Sequence, residues 1–388
     1  MRPTDIRIVD ATIEFRQVRF AVPLRLSSGP IEVLTEARVS LVAANRAGRV
    51  GRGLGSVLLS YPWAYDGPVL ATADDAMRAA VRRLAERATG LTGDPLSIGV
   101  ALLDLLPALP LPRLAAEVCL GPVDQAVHDA WSRAAGTPAW RLYTREHVPD
   151  LGEFLGPDFV GRYPGDFLRS APVNRLPVQH VIGVGDATDH LTGARWLKVK
   201  LAGKDPAADA ARVAEIATTG ARLALDPNEG YASDADLAAL VTALPDHATV
   251  DYIEQPVPRS VRIGPAGCGV PVLLDEGLPD PRRLDEVTGW DGIVVKTCRG
   301  QTATLLAYCW ARHRGRYVVQ QDLTHVGPAL EHAAAFAAHT VRSVPAFECN
   351  SLRYAPAGNA ELATRRPGLV TVTDGWVDVS DVGKGGIR

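Results

Sequence analysis

Lysine is scarce in this 388-residue chain: Lys198, Lys200, Lys204, Lys296 and Lys384 are the only five, against 36 arginines. A guanidinium cannot release its proton at working pH and an ammonium can, so the few lysines mark places to look for proton transfer. Cysteine is also sparse. Cys119, Cys268, Cys298, Cys309 and Cys349 are odd in number and show no paired short spacing. That excludes a disulfide framework and a cysteine-based zinc site, and suits small buried side chains in a reducing cytoplasm. An excess of charge of one sign is missing too. With a net charge of -3 the chain offers no polyanion-binding surface, so nucleic acid is not an expected partner. No long apolar run is present either. The most apolar stretch, Leu96 to Pro112, is interrupted by Asp104, Pro107 and Pro110, and Met1 to Phe15 alternates polar with apolar residues. Neither a membrane span nor a signal-peptide core is expected, and the reading is of a soluble cytoplasmic protein.

What is present is two kinds of periodicity. Ile6 to Phe20 and Ile31 to Ala44 alternate with period two, as a half-buried antiparallel pair does. Asn45 to Gly55 is turn-rich. Asp74 to Arg87 and the stretch from Val123 to Trp131 place apolar residues at helical spacing. Residues 1–150 therefore read as an α+β unit, with a junction in the Gly-, Pro- and Asp-rich segment Asp150 to Gly165.

Beyond it, short apolar runs alternate with alanine-rich helical stretches, the rhythm of a parallel sheet. The runs are Leu176–Ile182, Trp196–Leu201, Arg222–Leu225, Val250–Ile253, Val270–Leu274, Gly292–Val295, Arg316–Gln320 and Val344–Phe347. Eight strands suit a closed TIM-type barrel over residues 151–360, leaving 361–388 as a tail returning to the first unit. An open sheet fits the same rhythm, but no glycine-rich phosphate loop follows any strand.

Polar clusters fall at the ends of successive runs: Lys198 and Lys200, Asp226 and Asn228, Glu254 and Gln255, Asp275 and Glu276, and Lys296. The steps from Lys198 through Asp226, Glu254 and Asp275 to Lys296 are 28, 28, 21 and 21 residues, each about one βα unit. All five ends then share one rim, where barrel enzymes keep their chemistry. Oxygen-only ligands with open positions suit Mg²⁺ or Mn²⁺. Lys198 and Lys200 are two apart on a strand and so point to one face. Crowding two ammonium groups beside a metal is expected to lower their pKa and make one a base. Any one of these residues alone would read as a solvated or ion-paired side chain; the unbroken series is what carries the expectation.

In their order and spacing these motifs resemble the enolase superfamily, muconate lactonizing enzyme subgroup, over nearly the whole chain. The alternating N-terminal strands resemble that family's capping domain and Val123 to Trp131 its last long helix. The resemblance implies a (β/α)7β barrel under an α+β cap, and an isomerase or lyase that abstracts the proton α to a substrate carboxylate, with Mg²⁺ holding the enediolate. It further implies Asp226, Glu254 and Asp275 as metal ligands, with Glu276 adjacent to the third, Lys200 and Lys296 as acid and base on opposite faces, and Lys198 tuning Lys200. The partner would be a small carboxylate, and the assembly a homo-oligomer.

The substrate is less defined. Gln321-Asp322-Leu323-Thr324-His325 departs from the amino-acid racemases, and Glu348-Cys349-Asn350 lacks the Asp-x-Asp pair of dipeptide epimerases. Asn228, Arg299, His325 and Glu348 are expected substrate contacts, and Arg25 is a further candidate for a second anionic group. Lid loops are expected at Val22 to Gly29 and Gly53 to Tyr65. Their leucines, Tyr61 and Trp63 would suit a partly hydrophobic substrate. Two other readings remain: a Schiff-base aldolase using Lys296, which leaves the acids unexplained, and a metabolite-binding barrel without catalysis.

Overall fold

The structure, a computed structural model, describes residues 2–26, 29–65, 71–188, 191, 193–261, 263 and 269–388. Its first layer is a four-stranded sheet in the order β3-β2-β1-β4, made by β1 (Ile6–Leu26), β2 (Gly29–Asn45), β3 (Val50–Leu58) and β4 (Thr92–Gly93). The two alternating segments do pair antiparallel, from Ile6 against Asn45 to Leu26 against Gly29, with register shifts after Ile8 and after Arg19. Both run further than the alternation suggests, so Val22 to Leu26 extends β1 rather than forming a loop. Ser27 and Ser28 lie outside the described residues, as does Cys268; the other four cysteines are buried free thiols.

The second expected lid loop also needs correction. Gly53 to Leu58 belongs to strand β3, and Leu58 and Leu59 are fully buried. The glycines that read as turn residues serve a close approach instead. Gly51, Gly53 and Gly55 alternate on the face of β3 that meets the helix Arg113–Ala135. A Cβ there would lie 2.0 Å from the Ala130 carbonyl oxygen, 2.1 Å from that of Ala126 and 1.9 Å from that of Pro122. A side chain cannot share that space, so Gly53→Ala should push sheet and helix apart. We expect a loss of about 3 kcal/mol of unfolding free energy in urea titration, the upper range for overpacking; a loss under half that would mean the contact yields.

The second layer is the barrel. Strands β5 (Arg175–Ile182), β6 (Trp196–Lys200), β7 (Arg222–Asp226), β8 (Thr249–Glu254), β9 (Val272–Leu274), β10 (Gly292–Val295) and β11 (Tyr317–Gln320) follow one another in parallel register, and β12 (Phe347–Glu348) pairs β5. The expected strands match these within a few residues; the last starts later, at Phe347. Between β11 and β12 the barrel is joined by Ser343, whose N–H donates to the Val318 carbonyl at 2.8 Å and whose Oγ accepts from the Val318 N–H at 2.9 Å. Ala224, Tyr252, Leu273, Val294 and Val319 form the barrel's interior cluster, while Leu197, Val199, Leu223 and Leu225 belong to an outer one with the helices Pro206–Ala217 and Asp234–Ala243. This division is what aims the alternate residues Lys198 and Lys200 inward.

After β12 the chain makes β13 (Trp376–Asp378), antiparallel to the start of β5. The last residues then meet the long helix: the Ile387 N–H donates to Asp129 Oδ1 at 3.2 Å and Arg388 to Asp129 Oδ2 at 2.9 Å. No helix among the described residues is long and apolar enough to cross a membrane.

Candidate active site

Burial and pairing define the centre of the rim. Lys198, Lys200, Asp226, Glu254, Asp275 and Lys296 are all at most 8% exposed, at the C-terminal ends of β6 to β10. Lys198 Nζ lies 2.5 Å from Glu254 Oε1, 3.0 Å from Asp226 Oδ2 and 3.6 Å from Glu348 Oε2, and donates to Gln321 Oε1 at 3.2 Å. Lys200 Nζ pairs with Asp226 Oδ2. Lys296 Nζ lies 2.5 Å from Asp275 Oδ2. The structure brings these six together, as three ammonium groups interleaved with three carboxylates.

The carboxylates in contact with Lys198 and Lys296 set the electrostatics of these two lysines. Burial alone would lower the Lys198 pKa, but Asp226, Glu254 and Glu348 outweigh it and hold it well above the ordinary value. Burial likewise opposes the charge on Lys296, and Asp275 reverses the sign. Among the acids, burial opposes ionisation of Asp226, yet Lys198 and Lys200 keep it below the usual carboxylate range. Glu254 is pushed up by burial and by the facing Asp226 charge.

Two carboxylates held against each other and short of donors suit a cation. Glu254 Oε2 and Asp275 Oδ1 are fully buried and accept no hydrogen bond. As they stand, no three acidic or histidine side chains among the described residues converge tightly enough to form a preformed cage, because the ammonium groups sit between them. The donor set itself is all oxygen, on neighbouring strand ends, which fits a hard divalent ion.

The backbone at these strand ends is unusual. Of five non-glycine residues with positive φ among the described ones, Asn228, Glu229, Gln255 and Thr324 follow barrel strands. Such conformations cost energy and concentrate at functional sites. Gln255, which sequence reasoning gave no role, explains part of the geometry. Its Oε1 accepts from the N–H groups of Asp275 and Gly277, both at 3.0 Å, so it ties the end of β8 to the end of β9.

Glu276 turns away from the lysines. Its Oε1 accepts from Trp63 Nε1 at 2.8 Å and from Asn228 Nδ2 at 3.0 Å. Burial, with Asp275 and Asp226 nearby, pushes its carboxyl up to about 7. Asp275 pairs with Lys296 instead. Asn228 serves this contact to Glu276.

A small cavity lies over the cluster. Leu24, Leu26, Ile31 and Leu34 of the β1–β2 hairpin roof it with Ser60 and Trp63; Lys200, Lys296, Asp322, Leu323, Thr324, Glu348 and Asn350 complete it. Lys296 Nζ sits 4.4 Å from the centre of the Trp63 ring. The free volume is about 30 Å³, room for a water molecule. Substrate entry therefore requires roof or side chains to move. A larger groove of about 520 Å³, between β5 and the segment after β12, contains none of the lysines or carboxylates above and touches the chemistry only through Asn350.

Three expected substrate contacts, Asn228, Arg299 and His325, do not line this cavity; Asn228 is directed to Glu276. Arg299, 3% exposed, is directed to Glu117 and to the Asp275 carbonyl. His325 lies behind the wall, its Nδ1 2.8 Å from Asp322 Oδ1; its loop neighbours Asp322, Leu323 and Thr324 face the cavity instead. Glu348 does line it. Arg25 is half exposed, with Nη1 3.6 Å from Asp186 Oδ1, and is not part of the lining.

Burial opposes a charge on His325, but Asp322 overrides it and raises the pKa to about 10. A raised folded-state pKa gives stability that is full below the unfolded value near 6.5 and is lost as pH rises toward 10. The free-energy gap between wild type and His325→Gln should therefore shrink by about 1.4 kcal/mol per pH unit across that window. Urea titrations at pH 7 and 9 check this; a constant gap would mean that the imidazole is neutral throughout.

A family model described as enolase C-terminal domain-like matches residues 186–385, over half of the chain. The chain belongs to the enolase superfamily, in its mandelate racemase/muconate lactonizing enzyme subgroup. Solved structures agree on the fold. The L-Ala-D/L-Glu epimerase of Bacillus subtilis matches with a TM-score of 0.67 and 19% identity, covering 98% of each chain. The N-succinyl Arg/Lys racemase of Bacillus cereus gives 0.66 and 15%, covering 98% of this chain and 94% of its own. The dipeptide epimerase of Cytophaga hutchinsonii, solved with Mg and D-Ala-L-Val, gives 0.62 and 17%, covering 89% and 87%. No curated protein matches the chain in sequence. The fold is the expected barrel beneath an N-terminal antiparallel sheet, and racemases, epimerases and a muconate lactonizing enzyme are among the solved proteins that share it.

Proposed function

We propose that this enzyme moves the proton α to a carboxylate in a substrate with an apolar portion, using Lys200 and Lys296 as the proton carriers and Asp226, Glu254 and Asp275 to hold Mg²⁺. One observation carries the reading: Lys200 and Lys296, from the second and sixth barrel strands, line the same small cavity, each against a different carboxylate. The oxygens of Glu254 and Asp275 that accept no hydrogen bond support the metal, and neighbours solved with Mg make it the ion of choice. When bound, the ion supplies positive charge beside the substrate carboxylate and so makes the α-proton more acidic. The chain's own groups do the rest. One lysine Nζ takes the α-proton from one face, becoming an ammonium; in a racemisation the other returns a proton to the opposite face, becoming an amine. Lys198, held by Gln321 and three carboxylates, stays charged and balances them. The leucines of the hairpin and Trp63 exclude water and cover the apolar portion.

The test is proton exchange in D₂O with Mg²⁺ across N-acylated amino acids, dipeptides, hydroxy acids and lactones. Deuterium at the α-carbon of one class is the expected result. Turnover confined to compounds without an α-proton would sink the reading, and borohydride trapping of a keto substrate on Lys296 would replace it with an aldolase.

A further inference from the structure

The turn after Lys296 is gripped by the long cap helix in a regular way. Gln125 Nε2 donates to the Thr297 carbonyl at 2.9 Å. Gly121 faces the Cys298 carbonyl so closely that a Cβ would lie 2.1 Å from its oxygen. Glu117 Oε2 accepts from Arg299 Nη1 at 2.6 Å. Residues 117, 121 and 125 share one face of an α-helix, and they meet 299, 298 and 297 in turn. The only charged link in the set continues past the turn. Arg299 Nη2 donates to the Asp275 carbonyl at 2.5 Å and lies 3.7 Å from the same residue's carboxylate Oδ1, and Nη1 reaches the Leu278 carbonyl at 3.4 Å. The guanidinium also lies 5.8 Å from the centre of the Trp63 ring, the ring that covers Lys296.

We propose that Arg299 is a positioning residue: anchored to the cap through Glu117, it fixes the main chain of Asp275 and thereby sets that carboxylate for the metal. The function proposed above supplies the role of Asp275, so the inference rests on that reading. Only a planar fork can serve both partners. One Nη takes a carboxylate from the cap and the other a carbonyl at the end of β9, and a lysine ammonium at this depth is a single point that cannot span them. A ligand whose supporting contacts are removed loses its orientation, and affinity falls about 10- to 100-fold when such contacts are lost at metal sites.

Three full-length variants separate positioning from bulk stability. Arg299→Met removes fork and charge, Arg299→Lys keeps the charge opposite Glu117, and Glu117→Gln weakens the anchor alone. Each is measured for melting temperature without added metal, for Mg²⁺ affinity by calorimetry, and for amide hydrogen exchange over residues 275–278 by mass spectrometry. Arg299→Met should melt earlier, bind Mg²⁺ 10- to 100-fold more weakly and exchange faster in that segment. Arg299→Lys should recover melting temperature but neither of the other two, and that split is what a purely structural ion pair would not produce. Recovery of all three by lysine, or unchanged exchange over 275–278 in Arg299→Met, overturns the inference. If wild type itself binds no Mg²⁺, the metal site fails, while the exchange measurement still decides whether Arg299 holds this strand end.

Discussion

Replacing either cavity lysine by arginine should divide the reaction by substrate face. Lys200 ends the second strand and Lys296 the sixth, so in an eight-strand barrel they stand across the mouth from each other, and both line the cavity. Arginine keeps the positive charge against Asp226 or Asp275 but cannot serve as a base. General acid–base groups contribute about 10²- to 10⁴-fold to rate. If the reaction is a racemisation, Lys200→Arg should lower α-deuterium incorporation by that factor for one enantiomer and far less for the other, and Lys296→Arg should show the reverse preference. If it is a one-face elimination or cycloisomerisation, one variant alone should lose proton removal. Wild-type exchange of both enantiomers in both variants would end the two-lysine reading. The assay is proton NMR of the α-hydrogen in D₂O, with circular dichroism confirming that each variant is folded.

That this experiment can be designed at all comes from a part of the site that is local in sequence. A barrel strand ends where its apolar run ends, and the next one or two residues must face the mouth, so Lys198, Lys200, Asp226, Glu254, Asp275 and Lys296 could be placed from runs and spacings alone. The parity of Lys198 and Lys200 is likewise set by the pleat. What could not be read is what depends on long-range approach. The glycines of β3 signal turns in sequence, and only the helix lying against them shows that the absent Cβ is the point. Arg299 and His325 sit near the rim in sequence, but whether a side chain faces the cavity or the protein behind it depends on partners 182 residues away for Arg299 and three for His325. Gln255 stood in a polar strand-end cluster, but its role could not be read there, because its work is to accept two main-chain N–H groups at the end of another strand. The pKa direction of Lys198 and Lys296 could not be read for the same reason: it is set by contacts under 4 Å that spacing does not contain.

Mg²⁺ should raise the melting temperature of the wild-type enzyme, and removing either of two carboxylates should abolish that rise. An ion that binds only the folded chain stabilises it by RT ln(1 + [L]/Kd), about 2.7 kcal/mol at a hundredfold excess over Kd. The ion would take oxygens that now face one another or ammonium groups, relieving the Asp226–Glu254 repulsion that burial makes costly. Asp226→Asn and Glu254→Gln change little in shape but remove the charge that a hard cation needs. Both should therefore bind Mg²⁺ too weakly for any shift at millimolar concentration, and both should lose α-proton exchange. Their stability without added Mg²⁺ should respond differently. Asp226→Asn strands Lys200 in a buried place with its carboxylate partner gone, a loss of about 3 kcal/mol for a broken buried pair. Glu254→Gln removes one of two carboxylates forced together, so its cost should be clearly smaller. Differential scanning calorimetry with and without Mg²⁺ measures all three proteins. An undiminished Mg²⁺ shift in both variants would move the ion away from these strand ends.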